Sequence, residues 1–101
     1  MKDFVAEKDI HAHLAARMRE RGVTFQEICI TLESGWPADD VKKGTSGKVY
    51  VFEYEKEWVG KVFAEKEISV YYKIIEGRMM LLTVKARYGK NFRRKEGTHE
   101  I

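Results

Sequence analysis

His13, Arg17 and Arg21 recur at four-residue spacing in the stretch "HLAARMRERGVTFQEI", a register that keeps side chains along one flank of a helix. Farther along, "LTVKARYG" sets Lys85, Arg87 and Tyr88 close together, with Lys90 just beyond. These residue types suit one reaction. Metal-free cleavage of RNA needs a group to take the 2′-OH proton, a group to protonate the leaving 5′ oxygen, and cations to offset the phosphorane charge. Histidine suits either proton transfer, and arginine supplies a permanent planar grip on phosphate. On this reading His13, Arg17, Lys85 and Arg87 are catalytic candidates, while Arg21, Tyr88, Lys90, Tyr71 and Glu67 contact substrate. The same side chains serve equally as a bland surface: His13 can pack beside an apolar stripe, and the arginines can pair with Glu20 and Glu27.

Glu65, Glu67, Tyr71 and Lys73 alternate along a second stretch, where Glu67 beside cations could act as a general base or simply form a cross-strand charge pair. Tyr50, Phe52, Tyr54, Trp58, Tyr71 and Tyr72 could stack on bases or build a core. His11 and His13 are two residues apart, which on a helix points them roughly 160–200° away from each other, so no zinc pair is expected. "GTSGK" lacks the spacing of a phosphate-binding P-loop, and no cofactor is expected.

The elements that must position these groups are legible from periodicity. Asp9 is expected to cap a first helix whose stripe is Ile10, Leu14 and Met18, and Gly22 to end it. Thr24 with Glu27 forms a capping box for a second helix, Val23 packs as a staple on Ile28, and Phe25, Ile28, Cys29 and Leu32 form the buried face. Gly35 reads as a left-handed stop before Pro37, after which one helical turn could follow. From Lys48 the period changes to two, in "KVYVFEYEKEWV", "KVFAEKEISVYYKII" and "RMMLLTVKARYG", with turns at Gly60 and Gly77. In the last of these, Leu82, Val84 and Ala86 are expected on one face and Thr83, Lys85 and Arg87 on the other.

These elements predict an α+β fold, with two N-terminal helices packed on one face of a three- to four-stranded antiparallel sheet. Residues 1–101 are expected to form a single domain, with helices over about 9–35, strands over about 48–90 and a basic tail over 91–101; "DFVA" could add a short edge strand. The tail frays unless Phe92 docks.

Charge and composition narrow the partners. The net charge is +3, with 35% charged and 44% hydrophobic residues, a balance that folds. From Arg78 to Lys95 seven basic residues occur without an acid, so that end of the chain suits phosphate. The single cysteine, Cys29, excludes an intrachain disulfide and fits a reducing cytoplasm. No apolar run reaches membrane-spanning length.

The stretch from His13 to Glu27 resembles a small prokaryotic domain family with the pattern H-A-x-x-R-M-x-x-R-G-[IV] followed by a capping Ser or Thr and an acid. His13, Arg17, Met18, Arg21, Gly22, Thr24 and Glu27 match it, and Leu14 stands where alanine is usual. That family is grouped with RelE-like and BrnT-like toxins, so the resemblance implies a compact ribonuclease of a toxin-antitoxin pair. It implies RNA as substrate and an acidic antitoxin as partner, the protein alone being a monomer or weak homodimer. Arg87 resembles the arginine that ends a basic strand in BrnT-like proteins, although Lys85 replaces the serine found there. The alternative is a noncatalytic nucleic-acid- or protein-binding module on the same scaffold.

Overall fold

The computed structural model describes residues 5–94. A 3₁₀ turn, Glu7–Asp9, leads into α1 (Ala12–Arg21) and α2 (Phe25–Ser34); a two-residue bridge, β1 (Trp36–Pro37), precedes the long strands β2 (Ser46–Trp58), β3 (Lys61–Ile75) and β4 (Arg78–Gly89). The four strands form one sheet in the order β1-β2-β3-β4, antiparallel throughout. The α+β arrangement expected from the sequence is therefore present, with β1 as a short edge strand; half of the "DFVA" segment, considered for such a strand, lies outside the described residues. Met1 to Phe4 and Lys95 to Ile101 lie outside the described residues, so the end of the expected tail does too.

Local chemistry explains most boundaries. Thr24 Oγ1 accepts from the Glu27 N–H at 3.1 Å while the Glu27 carboxylate accepts from the Thr24 N–H at 2.9 Å, the reciprocal capping box. Gly22 ends α1 at φ 72°. Both long hairpins turn through two residues of positive φ, Val59-Gly60 and Glu76-Gly77, the backbone twist that matches antiparallel strands.

Four details depart from the expectation. His11, not Asp9, caps α1: its Nδ1 accepts from the Leu14 N–H at 3.2 Å, whereas the Asp9 carboxylate is drawn back to the Ala6 N–H at 2.8 Å. Gly35 is extended at φ −77°, ψ 176°, because the chain passes from α2 straight into β1 without a left-handed turn, and no helical turn follows Pro37. On α2 the fully buried residues are Ile28 and Thr31, while Phe25, Cys29 and Leu32 are half-buried. Finally, β4 carries a bulge at Leu82: Thr83 pairs with Tyr71 but Leu81 already pairs with Tyr72. An extra residue reverses the alternation on one side of it. Leu81 rather than Leu82 therefore joins Val84 in the core.

That core is Leu14, Val23, Ile28, Ile68, Val70, Leu81 and Val84, with Met18, Leu32, Phe52, Tyr72 and Ala86 packed around it. It lies between the two helices and one face of the sheet. Among the described residues no helix is long and apolar enough to cross a membrane. Thr31 is 0% exposed and its Oγ1 finds no hydrogen-bond partner among the described residues. A buried unsatisfied hydroxyl costs about 1–3 kcal/mol, so Thr31→Val, which replaces it with a methyl of similar shape, is expected to raise stability by about 1 kcal/mol. A urea midpoint no higher than that of the parent would contradict this.

Candidate nucleic-acid interface

Strand parity decides which candidates meet. Ile68, Val70, Val84 and Ala86 face the helices, so their alternates project from the opposite, helix-free face: Glu65, Glu67, Ser69 and Tyr71 on β3, and Thr83, Lys85 and Arg87 on β4. Cross-strand register sets Glu67 against Arg87, Ser69 against Lys85 and Tyr71 against Thr83. Four of the nine candidate site residues, Glu67, Tyr71, Lys85 and Arg87, thus share one surface.

Their hydrogen bonds define its electrostatics. Arg87 donates Nε–H to Glu67 Oε1 at 2.7 Å, and this bond holds the guanidinium above its ordinary pKa. The Arg87 side chain is 66% exposed and that of Glu67 only 15%. The carboxylate therefore anchors the inner edge of the guanidinium and leaves its outer donors facing solvent. Lys85 Nζ donates to Asp40 Oδ2 at 3.2 Å and sits 5.2 Å from the centre of the Tyr71 ring. The Tyr71 hydroxyl donates to the same Asp40 carboxylate at 2.9 Å. Asp40 is held below the usual carboxylate range, chiefly by the Tyr71 hydroxyl and then by Lys85; Lys85 is raised by Asp40, and Tyr71 is raised by burial and then by Asp40.

Two segments frame this face. The loop carrying Asp40 approaches closely because residue 47 is glycine: a Cβ there would lie 3.0 Å from both the Ala38 Cβ and the Tyr71 Cδ1. At the other end the chain after β4 crosses back over the sheet, and Phe92 docks. Its N–H donates to Glu65 Oε1 at 2.9 Å, Arg94 Nη2 donates to Glu65 Oε2 at 3.1 Å, and the Arg87 guanidinium lies 4.9 Å from the Phe92 ring centre. Lys90, exposed, begins this crossing.

The helix-borne candidates stand elsewhere. Helix α1 runs beside β4: His11 Nε2 lies 3.0 Å from Leu81 O, Arg21 Nη1 donates to Val84 O at 2.9 Å, and the Tyr88 hydroxyl donates to Arg21 O at 2.5 Å. Arg21 and Tyr88 are thereby joints between α1 and the sheet. Burial holds the Tyr88 phenol above its ordinary pKa, with Tyr54 and then Glu27 adding to the effect. His13 is exposed on the helix, its ring parallel to that of His11 at 6.2 Å, and Arg17 Nη1 donates to Glu20 Oε1 at 2.8 Å. Neither joins Lys85 and Arg87, because the sheet lies between them. Among the described residues no three His, Cys, Asp or Glu side chains gather as metal ligands.

Lys66 and Asp40 went unremarked in the sequence, and Glu65 was placed only by its alternation with Glu67. Lys66 shares the parity of Ile68 and Val70, a signal that it faces the core, and its side chain is 3% exposed. Asp40 and Glu65 gain their partners across 45 and 29 residues of sequence, separations that no local pattern encodes. A cavity of about 420 Å³ opens at the β2 edge among Ile30, Tyr50, Val51, Phe52, Glu53 and Arg94, and holds none of the candidates. Comparison with protein-family models, curated proteins and solved structures finds no match.

Proposed function

We propose that the chain acts on RNA as a toxin-type endoribonuclease and that the helix-free face of the sheet is its site. The observation that supports this best is the cross-strand pair of a recessed carboxylate, Glu67, with an exposed guanidinium, Arg87, beside the exposed ammonium of Lys85. A phosphate resting on Arg87 and Lys85 brings its neighbouring ribose toward Glu67. The carboxylate takes the 2′-OH proton, the 2′ oxygen bonds to phosphorus, and the bond from phosphorus to the 5′ oxygen breaks. That oxygen then takes a proton from water, leaving a 2′,3′-cyclic phosphate and a 5′-hydroxyl. Arg87 and Lys85 offset the charge that builds on the equatorial oxygens. In this reading the protein works in the cytoplasm, and an acidic antitoxin segment silences it by occupying the same cations.

A noncatalytic RNA- or protein-binding module is the second reading. It is favoured by the carboxylate already seated against each of the two cations and by the distance of the histidines from both. Amide chemical shifts during titration with a 2′-O-methylated oligouridine, which cannot be cleaved, test where RNA sits. Shifts centred on Glu67, Ser69, Lys85 and Arg87 are expected; shifts centred on His13 and Arg17 instead would move the site to α1 and refute this placement.

A further inference from the structure

Beyond Lys85 the same face continues to the β3–β4 turn. β3 alternates without interruption, so Lys73 and Ile75 stand on the face that carries Glu67 and Tyr71. On β4 the bulge at Leu82 restores the match: Met80 pairs with Lys73 and Arg78 with Ile75, which places Met80 and Arg78 on that face too. Without the extra residue both would lie on the helix side. The outcome is a checkerboard of two cations and two apolar side chains, with Ile75 46% and Met80 51% exposed. From Ile75 to Glu67 is eight residues of strand, about 26 Å at ~3.3 Å per residue. Lys73, Arg78, Lys85 and Arg87 are strung along that length.

Resting on the proposed action on RNA, we infer that this row is a track for single-stranded RNA, with four phosphates on the four cations and bases on the apolar side chains between them. A membrane surface would be met by cations gathered at one end of the molecule; these form a line that runs to the Glu67–Arg87 pair. A duplex offers its bases only as edges, whereas Ile75 and Met80, and the Phe92 ring at the far end, offer surfaces on which an unstacked base can rest. The bulge sets the length of the track, since it alone turns Arg78 and Met80 to this side.

The test is the salt dependence of binding of a fluorescent 2′-O-methylated oligouridine decamer, read by anisotropy. Each neutralised phosphate of a single strand adds about −0.7 to the slope of log K against log salt. Four contacts therefore give a slope of about −2.8, and Lys73→Ala/Arg78→Ala reduces it to about −1.4. All four substitutions fall on exposed residues, and melting curves confirm that each variant folds. Lys85→Ala/Arg87→Ala is expected to halve the slope likewise. If the Lys73/Arg78 variant keeps the parental slope while the Lys85/Arg87 variant loses it, the track is overturned and the site survives. If the unsubstituted protein does not bind the decamer, the action on RNA itself falls. Equal affinity for a duplex of matching length overturns the single-strand assignment. Ile75- and Met80-dependent sedimentation with phosphatidylserine vesicles that RNA does not compete away would reassign the turn to a membrane.

Discussion

Lys66→Met is expected to lower stability by about 3 kcal/mol, at the low end of the cost of breaking a buried ion pair, and Tm by roughly 12–24 °C. The Lys66 ammonium donates to Gly22 O at 2.5 Å and to both Glu27 oxygens at 2.9 Å, between the rings of Tyr54 and Tyr88 at 5.2 and 5.5 Å. It thus joins the end of α1, the start of α2 and the centre of β3. Removing it strands a carbonyl and a carboxylate together. Glu27 retains 18% exposure, so water recovers part of its solvation, which is why the low end applies. Glu27→Gln keeps the capping box, since glutamine serves at that position. The double variant Lys66→Met/Glu27→Gln is therefore expected to recover about 1–2 kcal/mol of the single loss. Urea unfolding of the four proteins decides it, and additive effects would contradict the ion-pair assignment.

Gly22→Val has an effect of similar size through a different cause. At φ 72° the backbone adopts a conformation that a β-branched residue resists, at a cost of about 1–3 kcal/mol. A Cβ there would also lie 2.5 Å from the Trp58 ring and 2.7 Å from the Tyr88 hydroxyl, and forcing atoms into a packed site costs about 1–3 kcal/mol more. The expected loss is about 3–4 kcal/mol, against a total of about 5–15 kcal/mol for a domain of this size. Trp58 stacks on Tyr88 at 4.9 Å with an interplanar angle of 11°, so the disturbance should be visible in tryptophan fluorescence. Relative to Trp58→Leu alone, adding Gly22→Val should cost less than it does in the parent, since the smaller side chain relieves the contact with the ring and leaves that with the Tyr88 hydroxyl. A full loss in that background would show that crowding by the Trp58 ring is not a cause.

These two predictions also explain the stretch that carried the clearest pattern in the sequence. Arg21 offers its guanidinium to Val84 and its carbonyl to Tyr88, Gly22 offers its carbonyl to Lys66, Val23 enters the core, and Thr24 and Glu27 cap α2 while Glu27 holds Lys66. Residues that read as a row of chemical groups form, at its C-terminal end, the corner where two helices are fixed to the sheet. Spacing places such a row on a helix flank, but whether the flank faces a substrate or a strand depends on pairing between distant segments. Alternation gave the parity of Glu67, Tyr71, Lys85 and Arg87 correctly because β3 is regular and the bulge falls before Thr83. It failed for Leu82, since an extra residue in one strand appears only when the partner strand is known. The positive-φ turns at Gly60 and Gly77 and the capping box were legible because each depends on neighbours within a few positions. Asp40 was not, because a loop residue acquires its partners only after the sheet has formed.

The central claim, that Glu67 and Arg87 act together on RNA from the helix-free face, is tested most directly by single-turnover cleavage of a labelled RNA in EDTA by the parent and by Glu67→Gln. The account predicts products ending in 2′,3′-cyclic phosphate from the parent, and a rate lower by about 10²–10⁴ for the variant, the share a positioned general base contributes, with RNA affinity retained. A Glu67→Gln protein that cleaves as fast as the parent would contradict it.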